Sequence, residues 1–141
     1  SIVVNPMSSL TLVGSQSFWR MVSYSESPAL GVGQQWVRTS DSYLYATEYD
    51  VPWANGRSTF VSIQCYPPTP NFTGRIIFYL VITNAGGGNC LVDQKNLDVG
   101  NDVNGYTAWT TLQAVVPPGS KFKVHSSHHD LTDTYFLAHL S

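Results

Sequence analysis

The densest set of possible metal ligands in the chain is His125, His128 and His129 with Asp130. Imidazole is the commonest metal-binding side chain. A structural zinc site needs four donors, normally supplied by two groups at recognisable spacing. No second group accompanies these histidines, so they read as polar turn residues, with no metal expected within one chain. A three-fold axis would alter that reading, because it brings three copies of one histidine together. Asp98, Asn101, Asp102 and Asn104 form a second, oxygen-rich set of the kind calcium favours. It lacks the alternating oxygens and terminal glutamate of an EF-hand, so it reads as a solvated loop. No cofactor is expected.

Catalytic signatures are missing in the same way. There is no Gly-x-Ser-x-Gly elbow, and neither Cys65 nor Cys90 lies in a nucleophile motif. Glu26, Glu48, Asp50 and Asp93 could serve glycosidase chemistry only as a pair at defined separation, and nothing pairs them. A non-enzymatic protein is therefore expected. Cys65 shares a strand face with Val61 and Ile63, which suits a buried thiol rather than a disulfide.

Recognition chemistry is better represented. In residues 49–57, Trp53 stands between Pro52 and Ala54, with Asp50, Asn55 and Arg57 close by. An indole offers a flat apolar face for stacking, and the other three offer directional hydrogen bonds. That set suits a neutral sugar or the hot spot of a protein contact. Pro52 stiffens the segment and Asn55-Gly56 favours a tight reversal. The competing reading folds Trp53 beneath its own loop as core. Tyr106, at the end of the polar stretch 95–106, completes the candidate ligand-binding set. Asn71-Phe72-Thr73 matches a glycosylation sequon, a triplet frequent by chance.

These residues need a scaffold, and residues 75–83, RIIFYLVIT, supply its centre. Ile76, Phe78, Leu80 and Ile82 line one face of a strand, while Ile77, Tyr79 and Val81 line the other. A strand apolar on both faces is covered on both. Residues 58–66 alternate cleanly, with Val61, Ile63 and Cys65 inward. Further strands are expected at 8–13, 17–24, 34–39, 43–49, 89–92 and 107–116. Residues 121–125 and 134–140 are expected to form the last pair. Residues 67–71 and 95–105 read as loops, and Pro117-Pro118-Gly119 as a turn. The pattern predicts an all-β protein, an antiparallel β-sandwich or jelly roll of about eight to ten strands.

At 141 residues the chain suits a single domain. It begins at Ser1 without a methionine, as expected of a processed product or the C-terminal part of a longer chain. Charged residues make up only 11% and aromatics 13%. Few charges and many aromatics suit a surface that meets neutral partners or hides in an oligomer, although strands also favour aromatics. With a net charge of −2 and no basic run, the electrostatic footprint of nucleic-acid binding is missing. No apolar stretch is long enough for a membrane helix.

The chain end carries a resemblance. Val115-Val116-Pro117-Pro118-Gly119-Ser120-Lys121-Phe122-Lys123-Val124 leads to Asp133-Thr134-Tyr135-Phe136-Leu137-Ala138-His139-Leu140-Ser141. A strand, a Pro-x-Gly-Ser turn, an alternating strand and an aromatic closing strand resemble the C-terminal head domains of bacteriophage tail fibres and receptor-binding proteins. The plan also resembles trimeric jelly rolls of the tumour-necrosis-factor and C1q type. The resemblance implies a homotrimeric tip on a virion surface or outside the cell. Such a tip would bind a host cell-surface saccharide or protein without catalysis. A structural capsid or fibre β-sandwich is the alternative, and a secreted lectin domain is a third reading. The Pro67–Pro70 segment and the histidine cluster have no counterpart in that pattern.

Overall fold

The computed structural model describes residues 27–53, 56–102, 104–127 and 134–141. The strands expected at 8–13 and 17–24 lie outside the described residues, as do Glu26, Asn55, His128, His129 and Asp130. The described chain is all-β. Its strands are β1 (Gly33–Ser40), β2 (Tyr49–Asp50), β3 (Thr59–Cys65), β4 (Gly74–Thr83), β5 (Asn89–Val99), β6 (Thr110–Val116), β7 (Lys121–Ser126) and β8 (Thr134–Leu140). A single 3-10 turn, Gly105–Thr107, precedes β6.

The strands form one mixed sheet in the order β5-β4-β7-β1-β8-β3-β6, with β2 also paired to β7. The sheet curls until its two end strands, β5 and β6, approach one another, giving a nearly closed, barrel-like sandwich. Every named pairing is antiparallel except β1 with β7, which run parallel over Thr39–Val124 and Ser40–His125. The Thr39 hydroxyl donates to the Val124 carbonyl at 3.0 Å and reinforces this short joint.

Alternation dictates the core. Ile76, Phe78, Leu80 and Ile82 of β4 face inward, and Val61, Ile63 and Cys65 of β3 do the same from the opposite wall. Phe78 meets Phe136 of β8 edge-to-face, with ring centroids 5.2 Å apart. This contact ties the β4 side of the barrel to the β8 side. The outer face of β4 is covered too: Val81 is buried, and Tyr79 stacks on His125 of β7 at 4.6 Å. Pro117-Pro118-Gly119 makes a tight turn closed by the Ser120 amide donating to the Pro117 carbonyl. Gly119 has φ +77°, the left-handed geometry that a type II turn requires there.

Four expectations need correction. Residues 43–49 are not a strand: after a turn, only Tyr49–Asp50 pair, and Tyr43 instead lies across β7. Its ring meets His125 edge-on, and the Lys123 ammonium sits 3.7 Å from its centroid. The stretch 95–105 is not all loop, because β5 runs eleven residues to Val99 and pairs with the whole of β4. The expected strand at 107–116 begins only at Thr110, after the 3-10 turn. Finally, β7 and β8 do not pair with each other, because β1 lies between them.

The gap between β5 and β6 is bridged by side chains. The Asp93 carboxylate accepts from the Gln113 amide at 2.7 Å, and the Lys95 ammonium donates to the Thr111 carbonyl at 3.1 Å. Asp93 also accepts from Lys95 and from the Gln94 amide. A β-bulge immediately precedes it: Leu80 pairs with Asp93 and Val81 with Leu91, leaving Val92 as the extra residue. Burial raises the Asp93 pKa, but the hydrogen bonds from Gln113, Lys95 and Gln94 outweigh it. The net result lies below the ordinary carboxylate value.

Two outcomes follow from this packing. Phe78→Ala should lower the unfolding free energy by about 3–5 kcal/mol in denaturant titration, because a fully buried ring is lost. Asp93→Asn should destabilise the protein at neutral pH by about 1 kcal/mol. A carboxyl whose pKa is depressed on folding stabilises above its unfolded value and loses that contribution as pH falls through the folded value. The difference between wild type and Asp93→Asn should therefore shrink as pH falls below about 4. A difference independent of pH would show that the ionised carboxylate does not hold the seam.

Candidate functional site

The Trp53 loop descends from β2. Tyr49 stacks on Phe122 and Val51 is buried, so the segment is anchored before it reaches Trp53. The Arg57 guanidinium lies 4.4 Å from the centroid of the Trp53 ring, a cation–π pair covering one face of the indole. Trp53 itself is half-buried, and its indole N–H is buried without an acceptor. Asp50 and Lys121 occupy one register position of the β2–β7 pair, and the Asp50 carboxylate accepts from the Lys121 ammonium at 2.6 Å. Of the expected set, Trp53 and Arg57 are thus brought together, and Asp50 is engaged in a cross-strand ion pair.

Tyr106 lies elsewhere in the chain, away from the Trp53 loop. It lies in the 3-10 turn, and its side chain is outside what is described. Its neighbour Gly105 is buried against the proline-rich loop 67–70. The Gly105 amide donates to the Pro70 carbonyl at 2.8 Å, and a Cβ at Gly105 would stand 2.6 Å from the Thr69 carbonyl oxygen. Only glycine permits so close a backbone approach. The turn is further closed by the amide and hydroxyl of Thr107, which donate to the Asn104 carbonyl at 2.9 and 2.7 Å.

Beside this contact lies an open polar cleft of about 510 Å³, lined by Pro70, Asn71, Thr73, Asn101, Asp102 and Asn104. Three of the four residues weighed as calcium ligands are here. Asp98 is not, because it sits in β5 and accepts from Arg75 of β4 at 2.8 Å. The lining consists of three carboxamides, one hydroxyl, one carboxylate and a proline. Carboxamides and hydroxyls both donate and accept, so they match the hydroxyls of a sugar ring. The volume falls within the range of small-ligand sites.

The lining contains no histidine, cysteine or serine and only one carboxylate, so it holds no pair of carboxylates. Among the described residues, no three His, Cys, Asp or Glu side chains converge on a metal-sized site. His125 is occupied by its aromatic neighbours, and burial and then the nearby Lys123 charge lower its pKa, favouring neutral imidazole. Cys65 is a buried thiol and Cys90 an exposed one. Burial, and secondarily the Asp93 charge, push the Cys65 pKa well up, so it is no nucleophile.

Compared with family models, curated proteins and solved structures, the chain matches none.

Asn71 and Thr73 entered the sequence reading only as a sequon, and nothing local announced that they face Asn101 and Asp102 across a cleft. Gly105→Ala should disturb both loops at once, destabilising the protein by about 1–3 kcal/mol because a backbone carbonyl cannot yield to the new methyl. Denaturant titration checks this. An unchanged midpoint would mean that the loops are not pinned at Gly105.

Proposed function

We propose that this chain is a non-enzymatic recognition module that binds a neutral cell-surface ligand, foremost a saccharide. The setting is that of a viral or phage fibre head on a virion surface or outside the cell. The observation that carries the reading is the cleft between Pro70, Asn71 and Thr73 on one side and Asn101, Asp102 and Asn104 on the other. Its carboxamides, hydroxyl and single carboxylate supply hydrogen-bond donors and acceptors. The pinning at Gly105 supports it, because loops ordered before binding lose little entropy on binding. The Trp53–Arg57 pair is a second contact surface of the same module. One saccharide site of this kind is weak, and a homotrimer would multiply its apparent affinity through multivalency. The chemistry requires no cofactor.

The assembly reading, a capsid or fibre β-sandwich, is favoured by one specific observation, the outer face of β1, β8, β3 and β6, whose strands carry a single charge, Arg38.

A glycan array with purified protein tests the first reading. Wild type should retain a defined set of neutral saccharides. Asp102→Ala and Asn71→Ala should weaken that retention about tenfold each, with circular dichroism unchanged. If Trp53→Ala alone abolishes binding while the cleft variants bind normally, the ligand sits on the indole instead. Retention of no saccharide by the wild-type protein would overturn the reading.

A further inference from the structure

The four strands β1, β8, β3 and β6 form a continuous wall whose inner side is core. Their outer side is organised by register. Trp36 pairs with Leu137, Leu137 with Gln64, and Gln64 with Thr111, making one transverse row. Gln34, His139, Ser62 and Gln113 make the next. Beyond the first row stands Tyr135, opposite Arg38 of β1, and at the far edge Tyr66 lies against Trp109 with ring centroids 6.4 Å apart. At the other end Phe60 pairs with Val115. Trp36, Phe60, Trp109, Val115 and Tyr135 are each between 42% and 62% exposed. The polar row separates Phe60 and Val115 from Trp36, Tyr135 and Trp109, so the wall presents two apolar clusters joined by amides. Clustered large apolar side chains on a folded domain mark an interaction surface, whereas scattered single ones do not.

Charge is segregated with respect to this wall. Arg38 is the only Asp, Glu, Lys or Arg in the four strands. On the other side of the barrel, β4, β5 and β7 carry Arg75, Asp93, Lys95, Asp98, Lys121 and Lys123.

We propose that this outer face is where one copy of the chain docks on another. The proposal rests on the self-association in the functional reading and makes that association a two-fold pairing of walls. In a symmetric interface a group near the axis meets its own copy, so a charged group there meets its like and repels it. A wall with a single charge avoids that penalty. Glutamine both donates and accepts, so Gln34, Gln64 and Gln113 can pair with their own counterparts. A sugar chain would use the aromatic rings and the amides, but it leaves the aliphatic surface of Val115 and Leu137 unused, whereas a second wall covers it.

Size agrees. Four strands about 4.8 Å apart, each about seven residues long at about 3.3 Å per residue, give a footprint of roughly 19 by 23 Å. With side-chain relief this exposes on the order of 600 Å², so two such faces bury about 1,200 Å², the lower edge of stable association.

The test is mass in solution, by sedimentation and light scattering of the full chain at tens of micromolar. Wild type should report about twice the 15.5 kDa chain mass, the closed pair that two facing walls make. Trp36→Glu and, separately, Val115→Lys should weaken association at least tenfold while circular dichroism is unchanged. Using both guards against one failing to fold. Gln94→Glu on exposed β5 should leave the mass alone. A monomeric wild type overturns the proposal, whether residues 1–26 or a saccharide covers the wall. Folded Trp36→Glu and Val115→Lys proteins with wild-type mass also overturn it. The glycan array separates the two readings: an intact oligomer that retains no sugar sinks the recognition reading and leaves the docking face standing.

Discussion

A sheet that curls nearly into a barrel must deal with the backbone groups along its last gap, and here Asp93 and Lys95 each satisfy one backbone group of β6. Asp93 accepts from Gln113 across the seam while Lys95 donates to Thr111, so side chains stand in for ladder hydrogen bonds between β5 and β6. Unpaired edges invite pairing with another chain, and charged residues on an edge strand are one way of preventing it. The same two residues therefore bridge the barrel's gap and discourage edge-to-edge association at the place where the sheet would otherwise be open. The Val92 bulge just before Asp93 belongs to this arrangement, since bulges redirect the strand that carries them.

With the seam bridged, the barrel has two unlike sides. The β4–β7 side carries the charges and is covered by its own chain: Tyr43 lies over Lys123, and His125 stacks on Tyr79. The β1–β8–β3–β6 side carries aromatics and amides and, among the described residues, has no comparable cover. The loops that line the polar cleft sit on this scaffold without sharing its apolar character. The backbone contact at Gly105 holds them together. Recognition by loops and association by a sheet face are thus compatible in one chain, because they use different surfaces and different chemistry.

The candidate site shows how far sequence reading reaches. The polar stretch around Asn101, Asp102 and Asn104 stood out as oxygen-rich, and the Trp53 loop stood out as a short, stiff aromatic segment. That Asp50 would be held by Lys121 could not be read locally, because the two residues are 71 positions apart and meet only through the β2–β7 register. Nor could the partnership of Asn71 and Thr73 with the 101–104 loop, which depends on two distant turns docking through a glycine.

Alternation in residues 59–65 and the unbroken apolar run 76–82 determined by themselves that these are strands with side chains in the core. All of Val61, Ile63, Ile76, Phe78, Leu80 and Ile82 are buried. The Pro-Pro-Gly turn was equally legible, since φ preference is a local property. Tertiary structure decided the rest. The polar residues of 93–98 form a strand because β4 offers them a full-length hydrogen-bonding partner, which overrides their weak intrinsic preference. Tyrosines at 43 and 45 looked like strand alternation, but no neighbouring edge pairs with them, so they form a turn. The insertion of β1 between β7 and β8 was invisible for the same reason. Side-chain period encodes which way a residue faces along its own strand, whereas the neighbour on either side is chosen by contacts between segments far apart in the chain.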